Sequence, residues 1–461
     1  MQMIDDVVEK FRQDLTVLVK SLENDSLRPE RFREYVASLK MAISEMGLEV
    51  FTRTVMAQEE DSQIVEYGSQ RHRFKLVSDK EWLTPWGVAV ISRRYYQPDG
   101  GGEGVVPLDQ RCGMAGRYMT PDVEEMTAYS AAMLVPREVE RLLGRILPAG
   151  PSAKAVQRVI SDVGVFAEKQ ETEIESAIAT TAPMSNAGDV LVSSWDGVTV
   201  PLRERSSMMG RPAERPGIRT TNESPTAWKE AGVGTISIYG QTKEGPERVD
   251  GRYYARMPEP GMKCLLRQQE QTLTTLLEFR DFREKAILCD GKPAIWRAAD
   301  QMEVYDGFTR ILDFFHAAEH LSKAAEAIFG KQVSKATDWY EKYREQMRDE
   351  AGGAEAAIRS MRYHSHKLRR KSERFATVRR VIRYFLKNTA KMQYCDFKAR
   401  GLPIGSGPVE AACKTVVGAR LKRSGMRWSR PGGQHVLNLR VHQLSGRWDT
   451  FWNVYQQQVA A

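Results

Sequence analysis

Apolar residues recur at helical spacing through the first 60 positions, at Val7, Val8, Phe11, Leu15, Val17, Leu18 and Leu22 and then at Phe32, Tyr35, Val36, Leu39, Ile43 and Met46. This predicts a helical N-terminal arm or hairpin over 1–60. The pattern then changes: Phe74-Lys-Leu-Val and Gly87-Val-Ala-Val-Ile-Ser-Arg-Arg-Tyr-Tyr read as strands, closed by the turn-rich Gln97-Pro-Asp-Gly-Gly-Gly-Glu-Gly, so 61–115 is expected to be a small β module. Over 116–185 helical periodicity returns in two pieces, Val135-Pro-Arg-Glu-Val-Glu-Arg-Leu-Leu and Ala153-Lys-Ala-Val-Gln-Arg-Val-Ile, joined by Leu147-Pro-Ala-Gly-Pro-Ser. Helix, Gly-containing turn and helix are compatible with a DNA-binding helix-turn-helix; plain scaffold is the commoner use of the same pattern.

Beyond residue 186 the strands are more apolar. Asp189-Val-Leu-Val-Ser-Ser-Trp-Asp-Gly-Val-Thr-Val and Gly232-Val-Gly-Thr-Ile-Ser-Ile-Tyr flank a Pro, Gly and Arg-rich loop at 206–226. Lys285-Ala-Ile-Leu-Cys-Asp is a third strand running into a helix opened by Pro293, and Arg310-Ile-Leu-Asp-Phe-Phe-His reads as a fourth, feeding the helix of His320. Strands alternating with helices make an α/β domain, with ligand chemistry expected at the carboxyl ends of strands. Residues 321–400 carry no strand signal and read as an all-helical insertion, which leaves 186–320 and 401–435 as one interrupted α/β domain and 436–461 as a C-terminal tail.

Composition narrows the class. The chain has 461 residues, 41% apolar and 28% charged, enough for several domains and a sizeable core. It opens Met-Gln-Met-Ile-Asp-Asp, without a basic stretch and apolar run, and no segment reaches the roughly 18 consecutive apolar residues of a membrane span. Five widely spaced cysteines without a C-x-x-C pair argue against a disulfide framework. A reduced, cytoplasmic protein without a membrane partner is expected.

Charge is distributed very unevenly. Between Arg359 and Arg430 there are 20 Lys and Arg against Glu373, Asp396 and Glu410, a net +17, whereas the whole chain is +8. So dense an excess repels itself unless a polyanion is present, which points to a phosphate backbone, although a solvated helix surface would read similarly.

Three carboxylates are candidates for chemistry within this frame. Asp196 and Asp290 each end an apolar run, yet each precedes a glycine, and Asp-Gly is also the commonest two-residue hairpin signal. In Gly405-Ser-Gly-Pro-Val-Glu-Ala-Ala-Cys-Lys, Gly407 can cap, Pro408 can take the first helical position and Glu410 the third, where the macrodipole favours an acid. Glu410 is nevertheless the only acid between Asp396 and Arg430. A lone carboxylate in a phosphate-binding surface repels its ligand unless a divalent cation lies between. Two strand acids plus one helix acid meet the needs of two Mg²⁺ or Mn²⁺ ions clamping an in-line phosphoryl displacement. His316 is expected to play a supporting role near the metals or scissile phosphate.

At these residues the chain resembles bacterial DDE insertion-sequence transposases of the ISKra group, distantly related to Mutator-like transposases. The resemblance spans about 60–445 and is densest in Trp195-Asp-Gly, Trp228-Lys-Glu-Ala-Gly-Val-Gly, Cys289-Asp-Gly and the run from Gly405 to Trp428. It implies a ribonuclease-H-like catalytic domain with Asp196, Asp290 and Glu410 as catalytic triad and metal ligands, and Asp313-Phe-Phe-His316 as an Asp-x-x-His element. The stretch 321–400 would be the insertion before the last acid. It further implies strand cleavage at transposon ends and strand transfer into target DNA, by a homodimer or higher assembly on double-stranded DNA in the bacterial nucleoid. Lys414, Arg420, Lys422, Arg423, Arg427 and Arg430 would hold phosphates, and Trp428 would stack on a base or simply pack. Members of such groups often carry a zinc ribbon in the N-terminal β region. Here that turn is Tyr95-Tyr-Gln-Pro-Asp-Gly-Gly with only Cys112 nearby, so no structural zinc is expected. Two other classes stay open: a catalytically idle DNA-binding descendant of a transposase, and a zinc peptidase using His316-Ala-Ala-Glu319-His320.

Overall fold

The computed structural model describes residues 2–23, 28–203 and 226–460. The chain divides into two units, one of residues 1–170 with 449–461 and one of residues 171–448. In the first unit α1 (Gln2–Glu23) and α2 (Pro29–Met56) pack together as the periodicity predicts. They are followed by a three-stranded antiparallel sheet of β1 (Ile64–Tyr67), β2 (Gln70–Thr84) and β3 (Gly87–Pro98) in chain order. Helices α3 (Pro107–Arg111), α4 (Pro121–Met133), α5 (Pro136–Ile146) and α6 (Ala153–Lys169) complete this stretch. Proline opens α2, α3, α4 and α5, where its missing N–H costs no helical hydrogen bond. Ser152 caps α6, its side chain accepting from the Ala155 N–H at 3.3 Å.

The second unit begins with α7 (Glu171–Thr181), so the helical region expected to run to 185 is divided at residue 170. Its sheet contains β4 (Val190–Arg203), β5 (Thr226–Thr242) and β6 (Gly245–Arg256). After α8 (Lys263–Phe279) come β7 (Glu284–Cys289), α9 (Pro293–Ala299) and β8 (Thr309–Leu312). The order is β6-β5-β4-β7-β8, antiparallel in its first three strands and parallel between β4, β7 and β8. This is the mixed α/β architecture the strand and helix alternation predicts. The loop at 206–226 lies outside the described residues except for Thr226, which opens β5. Strand β6 escapes the hydrophobic pattern because it is an edge strand rich in charge, as edges exposed to water tend to be.

The reading of 310–316 as strand is corrected. The strand stops at Leu312, and Phe314, Phe315 and His316 form the first turn of α10 (Phe314–Phe329), because the Asp313 side chain caps it by accepting from the His316 N–H at 2.6 Å. Then follow α11 (Ser334–Asp349), α12 (Gly353–Ser365), α13 (Glu373–Asn388) and α14 (Tyr394–Ala399), the helical insertion read from 321–400. Alternation along the strands separates two cores. Val190, Val192, Ala286 and Leu288 face α10 to α14. Leu191, Trp195, Ile287 and Cys289 face α8 and α9. Glycines at 232 and 234 let α8 lie close on β5, since a Cβ on Gly234 would stand 2.7 Å from the Gln269 side chain.

The chain ends in α15 (Gly407–Ala412), a wide π turn over Cys413–Gly418, α16 (Ala419–Leu421), α17 (Arg430–Leu444) and α18 (Trp448–Ala460). Residues 436–461, expected as a tail, are thus mostly helix. Buried Val436, Leu437 and Leu439 hold α17, which packs on β6. In α18 Tyr455 sets its ring 5.0 Å from Phe166 of α6. No helix among the described residues is long and apolar enough to cross a membrane.

Candidate carboxylate site

Strand register brings the first two candidate acids side by side. The parallel pairing of β4 with β7 ends at Ser193↔Ile287, and Asp196 and Asp290 each lie three residues beyond it. By the two-residue alternation both belong to the face covered by α10 and α13. Asp196 is no hairpin turn: β4 continues through Gly197, which pairs with Gly232. Asp290 ends its strand and accepts from the backbone N–H of Lys292 at 2.9 Å, closing the short loop into α9.

Sequence reasoning passed over two residues that complete this cluster. The Lys292 Nζ stands 3.4 Å from Asp196 Oδ1, 3.6 Å from Asp290 Oδ2 and 2.9 Å from Glu230 Oε1. Glu230 reaches this point from β5 across Gly197, where any Cβ would collide with its carboxylate. Partial burial works against the charge of Lys292, but the hydrogen bond to Glu230 and the negative charges of Asp290, Asp196 and Glu230 outweigh it and hold the ammonium above the ordinary lysine range. Only the glycine after Asp196 hinted at a close approach.

Glu410 arrives on α15. Its helix starts one residue earlier than the sequence suggested: Ser406 is the cap, Gly407 and Pro408 open the first turn, and the Ser406 hydroxyl donates to Glu410 Oε1 at 3.1 Å. One turn on, at the start of the π turn, the Cys413 Sγ lies 3.9 Å from Asp196 Oδ2. Burial, the Asp196 charge and its hydrogen bond, with Glu410 adding to them, push the Cys413 thiol up to about 12 despite Lys292, so it stays protonated. The helix of the third acid therefore packs beside the first. Insertion of a π turn is a common way to re-aim side chains at a functional site.

Among the described residues no three His, Cys, Asp or Glu side chains are gathered as they would be around a metal ion. What Asp196, Asp290 and Glu230 surround is an ammonium. The donor chemistry fits a hard divalent cation, since these are carboxylate oxygens at a point already neutralised by a positive group.

Among the described residues no hydrogen bond or ion pair joins the His316 side chain to Asp196, Asp290 or Glu410. Its ring lies against His320 at 5.2 Å and Tyr384 at 6.4 Å, and its backbone N–H is bound by Asp313. Asp313 is buried, and its other oxygen accepts from the Ser406 N–H at 2.5 Å, tying α10 to the start of α15. His320 is half-buried and stacks on Tyr384 at 4.0 Å; burial first, then the neighbouring His316 and Lys323, lower it to about 4. The Tyr384 hydroxyl sits where a side chain on Gly291 would be, and burial together with the charges of Asp290 and Asp313 raises its pKa.

Of the basic residues singled out, Lys414, Lys422, Arg423, Arg427 and Arg430 are exposed. Arg420 differs: it is fully buried with its guanidinium over the Trp428 ring, which removes it from direct phosphate contact. Trp428 packs, donating its indole N–H to the Leu421 carbonyl at 3.0 Å while its backbone bonds Pro201 and Arg203. Arg430 also donates to the Pro258 carbonyl. Part of the +17 is used internally, as where Arg374 binds the Ala327 and Ile328 carbonyls at the end of α10, each at 2.6 Å.

No family model matches the chain, and no curated protein matches it. Among solved structures, a chain of the Drosophila P element transposase strand transfer complex is similar at 12% identity and a TM-score of 0.25, over 73% of this chain and 80% of that one. A likeness at that level says nothing of what this chain does.

Proposed function

We propose that the second unit is a ribonuclease-H-like nuclease core and the chain a DNA transposase, cutting phosphodiester bonds at the ends of a mobile element and joining the freed 3′-hydroxyl to target DNA. The observation that carries this reading is the convergence of Asp196 and Asp290, level with each other three residues past the paired stretch of two adjacent parallel strands, on a single cationic group. Asp196, Asp290 and Glu410 would hold two Mg²⁺ or Mn²⁺ ions. Bound there, the ions supply Lewis-acid stabilisation to both the attacking and the leaving oxygen. The carboxylates position the scissile phosphate in line with water in the first step and with the 3′-hydroxyl in the second. In each step one P–O bond forms as another breaks and the departing oxygen takes a proton. Lys414, Lys422, Arg423, Arg427 and Arg430 hold the flanking backbone, and a dimer would present two such sites to two DNA ends.

The peptidase alternative finds no third ligand beside His316 and His320 among the described residues. The test is a Mg²⁺-dependent plasmid-nicking assay on E410Q alongside a DNA-binding measurement. The expected result is loss of nicking with binding intact or tighter. Unchanged nicking would remove Glu410 from the triad, and binding without nicking in the native chain would leave the idle DNA-binding descendant.

A further inference from the structure

Among the described residues Lys292 is the cation shared by three carboxylates of this site, and its three partners are unequal. Glu230 holds it at 2.9 Å, whereas Asp196 and Asp290 stand at 3.4 and 3.6 Å. Its backbone N–H is fixed on Asp290, so the side chain turns from a stationary root. The Lys292 side chain is 46% exposed, so its outer part is not walled in, while Glu230 lies on a different strand, over the side chain that Gly197 lacks. A divalent ion held by Asp196 and Asp290 cannot share their oxygens with an ammonium at these distances, because like charges so close repel strongly.

We propose that Lys292 is the resident counter-cation of the acid pair, displaced when a divalent metal enters, and that Glu230 is the carboxylate onto which it withdraws. This rests on the reading of Asp196 and Asp290 as metal ligands and adds a control to it. Without metal, Lys292 neutralises acids that would otherwise repel each other and the incoming backbone. On metal entry the Glu230 bond keeps the ammonium paired, so the site exchanges one cation for another without stranding a charge. Glu230 is on this account a positioning residue, acting through Lys292 and not on the metal.

Mn²⁺ binding to the full chain, followed by the electron paramagnetic resonance signal of the free ion, tests this in a double-mutant cycle. K292M is expected to tighten Mn²⁺ binding by about tenfold or more, because a competing unit charge is removed at contact distance. E230Q is expected to weaken it several-fold, since the lysine then has only the aspartates to pair with. In the K292M background E230Q should change little. An unchanged affinity in K292M overturns the proposal, and so does an E230Q loss of equal size in both backgrounds, which would make Glu230 a ligand or a plain field effect. D196N separates the two levels of argument. Loss of Mn²⁺ binding in D196N keeps the metal site whatever Lys292 does, whereas binding indifferent to D196N sinks the site itself and this proposal with it. K292Q repeats the first arm should K292M fold poorly.

Discussion

Two carboxylate regions on neighbouring strands of the same sheet are built to opposite ends. Asp313, just past β8, is 1% exposed, and its two oxygens are taken by backbone amides, His316 N–H at 2.6 Å and Ser406 N–H at 2.5 Å. Asp196 and Asp290, on the neighbouring strands, are 28% and 18% exposed, and among the described residues their polar contacts besides one local backbone N–H each are an ammonium and, for Asp196, a thiol. Backbone amides cannot leave; a lysine side chain can. The difference separates a carboxylate spent on folding from one kept available for a ligand, and all three end a similar apolar run in the sequence.

Exchanging the chemistry of the two regions gives the largest expected effects. D290N should reduce Mg²⁺-dependent nicking by at least about 10³-fold, the scale on which a site loses electrostatic stabilisation of its transition state. Its unfolding free energy by urea should change by no more than about 0.5 kcal/mol, because an asparagine oxygen can still accept the Lys292 N–H that closes the loop into α9. D313A should do the reverse first: removing the acceptor of two buried amides costs about 3 kcal/mol in the same unfolding experiment, with activity lost only as the start of α15 loosens. A D290N protein that unfolds easily, or a D313A protein that is stable and inactive, would erase the distinction.

How far this was readable from the sequence depends on the range of the signal. Helical periodicity located α1, α2 and the insertion, and apolar runs located β4, β5 and β7, because burial on one face or two writes a local pattern. Strand β6 wrote none, being a charged edge. The acids Asp196, Asp290 and Glu410 stand out by their neighbours, but Glu230 does not, since its partner Lys292 is 62 residues away and nothing local marks the pairing. Arg420 shows the same limit in reverse. It reads like the other cations of its segment, yet lies buried under Trp428. Asp-Gly at 196–197 favoured a turn, whereas the glycine's place in a strand is explained by the Glu230 carboxylate lying over it.

Smaller effects sharpen the boundary between the regions. If the exposed cations serve the DNA that the acid pair cuts, reversing Lys422 and Arg423 (K422E/R423E) should weaken DNA binding and reduce the slope of log affinity against log salt by about 2, roughly one for each lost phosphate contact. An unchanged slope would place the backbone elsewhere. The smallest effect concerns Tyr384, whose hydroxyl feels both Asp290 and Asp313 and whose ring carries His320. His320 is held at about 4 against 6.5 in its ordinary state, so the folded chain binds fewer protons than the unfolded one between those values. Its contribution is therefore complete above pH 6.5 and is lost as the pH falls towards 4. H320F keeps an aromatic stack without the titration. Compared with the native chain by urea unfolding at pH 7 and pH 4.5, it should lose less stability on acidification, by about 1 kcal/mol once screening of a half-exposed ring is allowed for. His442, also lowered to about 4, by burial and the Arg252 charge against the opposing pull of Glu175, is present in both proteins and cancels from the difference. Equal losses in the two proteins would mean that His320 takes up its proton without disturbing Tyr384, and that this wall between the two carboxylate regions is indifferent to acid.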